Sequence, residues 1–251
     1  MSSVEFLQDN LHILAIVVVF CMVQSVFGMG LLIFGTPTLI ILDVPFLDCL
    51  VHLIPASLTI SLLQILPHDT ITKLNIDKSV PLLVLAVIAG LTIHLLPFAV
   101  IRLDGLIGIV MLCYGLARVF SGVGALASQL VREHQYLIVA LMGLLHGVSN
   151  MGGAILAIVS SARHSEKTDL RNFVAMNYAV LAGTQLLVLL LVMENKHFGS
   201  LLISSAIALF VYLCIGRYVF QSIAAEHFHN LFTGFIFAYS GALLLKFFMP
   251  M

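Results

Sequence analysis

Long apolar runs separated by short polar stretches dominate the chain. Runs at 44–66, 81–101, 105–120, 173–193, 199–216 and 231–248 are each close to the roughly 20 mostly apolar residues that a helix needs to cross a bilayer. Two longer runs, 11–42 and 136–161, are interrupted near their middles by glycine and polar residues. Hydropathy therefore predicts eight helical segments, four on each side of the polar stretch Gln129–His134.

The two interruptions resemble one another. Gln24-Ser25-Val26-Phe27-Gly28-Met29-Gly30 recurs 122 positions later as His146-Gly147-Val148-Ser149-Asn150-Met151-Gly152. Asp104, Gly108 and Gly115 match Asn230, Gly234 and Gly241 at an offset of 126, and Gln64 answers Gln185 at 121. Similar matches in the same order predict a duplicated chain with an N-terminal repeat at 1–128 and a C-terminal repeat at 129–251, together forming one integral membrane domain.

Composition strengthens the membrane reading. Of 251 residues, 61% are hydrophobic and only 9% charged, where a soluble domain carries about 25% charged residues. The net charge of −1 leaves no basic footprint for nucleic acid. The first ten residues hold Glu5 and Asp9 but no Lys or Arg, so the first apolar run reads as a retained helix, not a cleaved signal. Cys21, Cys49, Cys113 and Cys214 lie in apolar runs without CxxC spacing and read as packing residues. No cofactor or metal site is expected.

The basic residues bear on topology. With one crossing for each long run, the eleven Lys and Arg divide almost evenly between the two sides. If each long run instead bends back at its glycines, Lys73, Lys78, Arg118, Arg132, Arg163, Lys167, Arg171 and Arg217 fall on one side, leaving Arg102, Lys196 and Lys246 on the other. The positive-inside rule favours the second arrangement, in which the repeats are inverted. The expected fold is thus an all-α polytopic membrane protein in two homologous halves, with the first helix of each half broken or re-entrant.

No carboxylate pair, Lys or Arg falls in the middle of an apolar run. The polar equipment there is neutral: Gln24, Thr36, Ser57, Thr59, Ser61, Gln64, His94, His146, Ser149, Asn150, Asn177 and Gln185. A broken helix exposes a new N-terminus, whose free N–H groups and partial positive charge bind anions without a basic side chain. Gly28, Gly30, Gly152 and Gly153 admit a ligand close to the backbone. Gln24, Thr36, His146, Asn150 and Asn177 are the candidate side chains at such a site. Gly108, Gly115, Gly234 and Gly241 read as helix-packing glycines, and His52 reads as interfacial.

At these motifs the chain resembles the TauE/SafE family of sulfite and organosulfonate transporters. The likeness covers the length, the eight segments, the two halves and a glycine-rich break in the first helix of each, followed in the first copy by Thr36-Pro37. Family members commonly have a more glycine-rich break, and Phe27 and Met29 depart from that pattern. The resemblance implies secondary transport of a small sulfur-containing anion across the plasma (inner) membrane, with a proton or sodium as possible coupling ion and a homodimer left open. A transporter of another small anion, such as a carboxylate, is the nearest rival. An intramembrane enzyme is a more distant one, since Ser149 near His146 lacks a third group.

Overall fold

The computed structural model describes residues 11–66, 79–96, 103–164, 166–192, 198–222 and 225–249. Residues 1–10, Lys73, Lys78, Arg102 and Lys196, on which part of the signal-segment and topology arguments rest, lie outside them, as does the Asn230 side chain. Every element among the described residues is helical. In chain order these are α1 (Leu11–Phe27), a π-helical turn (Leu31–Gly35) running into α2 (Thr36–Ile41), α3 (Phe46–Ile65), α4 (Val80–Leu95), α5 (Leu103–Val119), α6 (Ser121–Glu133), α7 (Gln135–Ser149), α8 (Gly152–Arg163), α9 (Lys167–Val192), α10 (Phe198–Val211), a second π-helical turn (Tyr212–Gly216) with α11 (Arg217–Ser222), and α12 (Ala225–Phe248).

Three stretches, Phe46–Ile65, Thr168–Val192 and Phe198–Phe220, are long and apolar enough to cross a membrane. Six further apolar helices, including Leu11–Phe27, Val80–Leu95 and Gln135–Ser149, are shorter. Large apolar side chains cover the outside of the bundle: Leu85, Leu187, Leu202, Phe210 and Leu245 are all well exposed. A water-soluble monomer rarely shows so wide an apolar surface.

Both long runs are broken where the sequence places the glycines. α1 stops at Phe27, and the chain turns through Gly28 (φ +73°) and Gly30 (φ +141°). α7 stops at Ser149, and Asn150 takes the left-handed conformation (φ +65°). After each break the chain doubles back. A Cβ at Gly30 would lie 3.5 Å from the amide nitrogen of Gln24, and one at Gly152 would lie 2.6 Å from the carbonyl oxygen of Met142.

The halves interlock through repeat-equivalent contacts. Gly90 of α4 packs against Gly147 of α7, and Gly216 packs against Ser25 of α1; positions 90 and 216 differ by the offset 126, positions 25 and 147 by 122. Each half thus sets its first helix against the fourth helix of the other. The α4–α7 seam is the tighter, because Gly143 and Gly147, four apart on α7, let the backbones nearly touch. α5 and α12 run antiparallel: Gly105 meets Phe247, Gly108 meets Leu244 and Gly115 meets Phe237. The packing role expected for Gly108 and Gly115 is thereby seen. Gly234 and Gly241 have open space around them, so they do not mediate this contact.

The polar stretch Gln129–His134 forms the end of helix α6 and its C-cap. One feature departs from expectation. His52 is buried, with Nδ1 3.3 Å from the Ser204 hydroxyl, so it joins α3 to α10 inside the protein, not at an interface. Lys246 of α12 donates to the carbonyls of Ile40 and Ile41 at 2.8 and 3.1 Å, capping the end of α2.

The α4–α7 seam yields a test. In Gly147→Leu, the new Cβ would meet the Leu91 amide nitrogen at 2.5 Å, with backbone also on its other side. Overpacking of this kind costs about 1–3 kcal/mol. Thermal unfolding in detergent is expected to shift down clearly, while Gly234→Leu, which enters open space, leaves the midpoint near wild type.

Candidate functional site

Breaking a helix inside an apolar protein strands the last carbonyls of the upstream piece. Both halves meet this need in the same way. Gln64 of α3 donates its amide to the carbonyls of Gln24 and Ser25, at 3.0 and 3.1 Å. Gln185 of α9 donates to the carbonyl of His146 at 3.0 Å. The backbone amides of Gly28 and Asn150 return to the same carbonyls, Gln24 and His146, both at 2.8 Å. Residues 24 and 146, 28 and 150, and 64 and 185 are the pairs matched in the sequence, so matched positions make matching hydrogen bonds.

Beyond this shared brace the breaks differ. At the first, the Gln24 side chain is saturated. Its Nε2 donates to the Ser57 carbonyl and hydroxyl, both at 3.0 Å, and more weakly to the Ser61 hydroxyl at 3.3 Å; the Ser57 hydroxyl returns a bond to Oε1 at 3.1 Å. Gln24 therefore ties α1 to α3.

At the second break the polar groups are short of partners. His146, Asn150, Tyr178 and Gln185 are all 0% exposed. Neither ring nitrogen of His146, nor Asn150 Oδ1, the Tyr178 hydroxyl or Gln185 Oε1, makes a hydrogen bond of good geometry. Buried polar atoms left in this state are costly and rare. The His146 and Tyr178 rings stand edge to face with centroids 6.3 Å apart. The Tyr178 hydroxyl lies directly on Gly153, where any Cβ would displace it. Gly152 and Gly153 open α8, whose N-terminus has no side-chain cap. A phenol, an imidazole and an uncapped helix N-terminus therefore converge.

The Asn150 amide donates to Thr36 Oγ1 at 2.8 Å, which brings the second break against α2 of the first half. Of the sequence candidates, the structure thus gathers Thr36, His146, Asn150, Gly152 and Gly153. Gly28 and Gly30 form the first break, with Gly28 packed against Arg171 and Val174 of α9. Asn177 is half-buried and donates to the Phe173 carbonyl of its own helix at 2.9 Å. Tyr178, its neighbour, holds the central position and was not among the candidates. Its signal is spacing: seven residues separate Tyr178 from Gln185, so both lie on one face of α9. Among the described residues no three His, Cys, Asp or Glu side chains gather as a metal site would require.

No protein-family model matches the chain, and no curated protein or solved structure matches it either.

The brace predicts a stability effect. Gln64→Leu leaves two buried carbonyls without their side-chain donor, which costs about 1–3 kcal/mol. The unfolding midpoint in detergent is expected to fall well below that of Leu62→Ala, a change at an exposed position of the same helix. Equal midpoints would show that these carbonyls find other donors.

Proposed function

We propose that the protein is a membrane transporter for a small oxyanion, and that the anion is held at the second break. The observation that carries this reading is the set of fully buried, unpartnered polar groups around the start of α8. Unmet polar atoms inside an apolar protein call for a polar ligand; among them the Tyr178 hydroxyl and one His146 ring nitrogen can donate, whereas Asn150 Oδ1 and Gln185 Oε1, the latter on the amide beside the His146 ring, only accept. The Tyr178 hydroxyl and an imidazole N–H are donors, and the uncapped N-terminus of α8 adds backbone N–H groups and the positive end of the helix dipole. The donors and the helix dipole support a negative ligand, and the two amide oxygens suit the hydroxyl of a protonated oxyanion.

Paired helix breaks in duplicated halves are a hallmark of secondary transporters, which bind substrate where discontinuous helices meet. The antiparallel packing of α5 against α12, which are repeat equivalents, supports inverted repeats: two parallel-related copies would set equivalent helices parallel. The crossed contacts Gly90–Gly147 and Gly216–Ser25 support the same two-fold relation. Rocking one half against the other at these seams would alternate access to the site.

The resemblance to TauE/SafE transporters supports sulfite or an organosulfonate as the substrate and the plasma membrane as the location. A sulfonate offers three acceptor oxygens, enough to engage the phenol, the imidazole and the α8 amides at once. A planar carboxylate offers two.

The test is anion binding to the purified protein, followed by flux into vesicles that contain it alone. Sulfite and methanesulfonate are expected to bind, and to compete with each other more strongly than acetate does. Tyr178→Phe removes one donor and is expected to weaken binding by about tenfold, the equivalent of about 1.4 kcal/mol. Unchanged affinity in a folded Tyr178→Phe protein would remove the anion from this place.

A further inference from the structure

Arg171 stands out once the break is in view. It lies one turn into α9, and its aliphatic stem runs along Gly28: a Cβ there would lie 3.0 Å from Arg171 Cγ and 3.3 Å from its carbonyl oxygen. The guanidinium stacks on Phe220 of α11, with Cζ 3.6 Å from the ring centroid. Its Nε is buried and has no hydrogen-bond partner. No carboxylate pairs with this cation among the described residues. Arg171 is half-buried where the apolar run of α9 begins, and taking its Nε out of water without an acid partner costs free energy that a ligand would recover.

Its position on α9 gives the cost a purpose. Arg171, Tyr178 and Gln185 are seven residues apart in turn. Seven residues are close to two full turns, so the three side chains leave the same face of the helix, with about 10.5 Å of rise between neighbours. Each carries a buried atom without a partner: Arg171 Nε, Tyr178 OH and Gln185 Oε1. The stripe passes the first break at Arg171 and Gly28, meets the second at Tyr178 and Gly153, and reaches the His146 carbonyl at Gln185. One helix face thus links both breaks.

We propose that Arg171 is the entry station for the transported anion: an oxyanion is first received by its guanidinium beside the first break, then passed along the inner face of α9 to the seat formed by Tyr178, His146 and the start of α8. This rests on the anion-transport reading above and adds to it a second, charged station. Stacking on an aromatic face fixes the guanidinium plane and leaves the N–H groups along its edge to engage two oxygens of one anion. Phe220 is thus a positioning residue. Glycine at position 28 lets the Arg171 stem pack against the first break, since any side chain there would press into it.

The experiment follows initial rates of methanesulfonate uptake into vesicles holding the full chain, at low and near-physiological ionic strength, beside equilibrium binding in detergent. An entry charge raises the encounter rate in a salt-dependent way, whereas a donor at the seat sets affinity. Arg171→Gln is expected to lower uptake at low salt by about tenfold and to flatten its salt dependence. Arg171→Lys keeps the salt dependence with a partial loss of rate, because the charge remains but the planar fork does not. Phe220→Leu frees the guanidinium from its stack and is expected to fall between wild type and Arg171→Gln; it also serves as the test if Arg171→Gln does not fold. Tyr178→Phe is expected to weaken equilibrium binding while the wild-type salt dependence stays. If wild type moves methanesulfonate and Arg171→Gln matches it in rate and salt response, the entry station is wrong and the seat survives. If Phe220→Leu and Arg171→Lys both behave as wild type, it is likewise wrong. If wild type neither binds nor moves any oxyanion, both readings fall together.

Discussion

The need to satisfy carbonyl groups at a broken helix, away from water, constrains this fold more than any other requirement. A continuous helix closes its own hydrogen bonds; an interrupted one leaves groups that an apolar interior cannot tolerate. Here one glutamine amide in each half braces the break: Gln64 serves the Ser25 carbonyl and adds a second donor at Gln24 at the end of α1, and Gln185 adds a second donor to the His146 carbonyl at the end of α7. Each belongs to the helix that follows its half's broken pair, α3 or α9, so the brace fixes that helix against the break. The doubled-back chain, the seams between halves and the placement of α8 all follow from where these two ends are pinned.

The two breaks match in sequence and in their glutamine braces, and they differ in what their side chains do. In the first half, Ser57 and Ser61 close the hydrogen bonds of Gln24, and the result is rigid and self-contained. At the matched positions the second half has His146, Tyr178 and Ala182, and the corresponding bonds are absent. One copy therefore spends its polar groups on holding helices together, while the other keeps them free. That asymmetry is visible only when the halves are compared bond by bond, since both motifs look equally polar in sequence.

The pattern of apolar runs revealed the helices because lipid and core both select long apolar stretches, and Gly28, Gly30 and Asn150 marked the breaks because few residues adopt positive φ. Gln64 and Gln185 were legible as matched positions, though their role as carbonyl donors was not, since that depends on which helix lies beside which. Gln24 reads in sequence as a ligand candidate, and its tie to α3 is hidden there because the approach of Ser57 and Ser61 is a tertiary fact. Tyr178 gives little signal because tyrosine counts among apolar residues in a hydropathy scan, and Arg171 because it sits where a run begins.

On the reading proposed above, a seat made of neutral groups with a charge only at its mouth would fit the demands of transport better than a charged seat. An anion bound by a buried arginine in a low-dielectric site would be held strongly, and a carrier must release its cargo as readily as it takes it up. Donors such as the Tyr178 phenol and the α8 amides discriminate for negative charge through geometry and a partial dipole, with less grip than a full charge exerts. On the proposed reading, a rise of about 10.5 Å along α9 between positions 171 and 178 would separate attraction from retention. The first would raise the local concentration of anions at the proposed entry, and the second would stay weak enough for the site to empty.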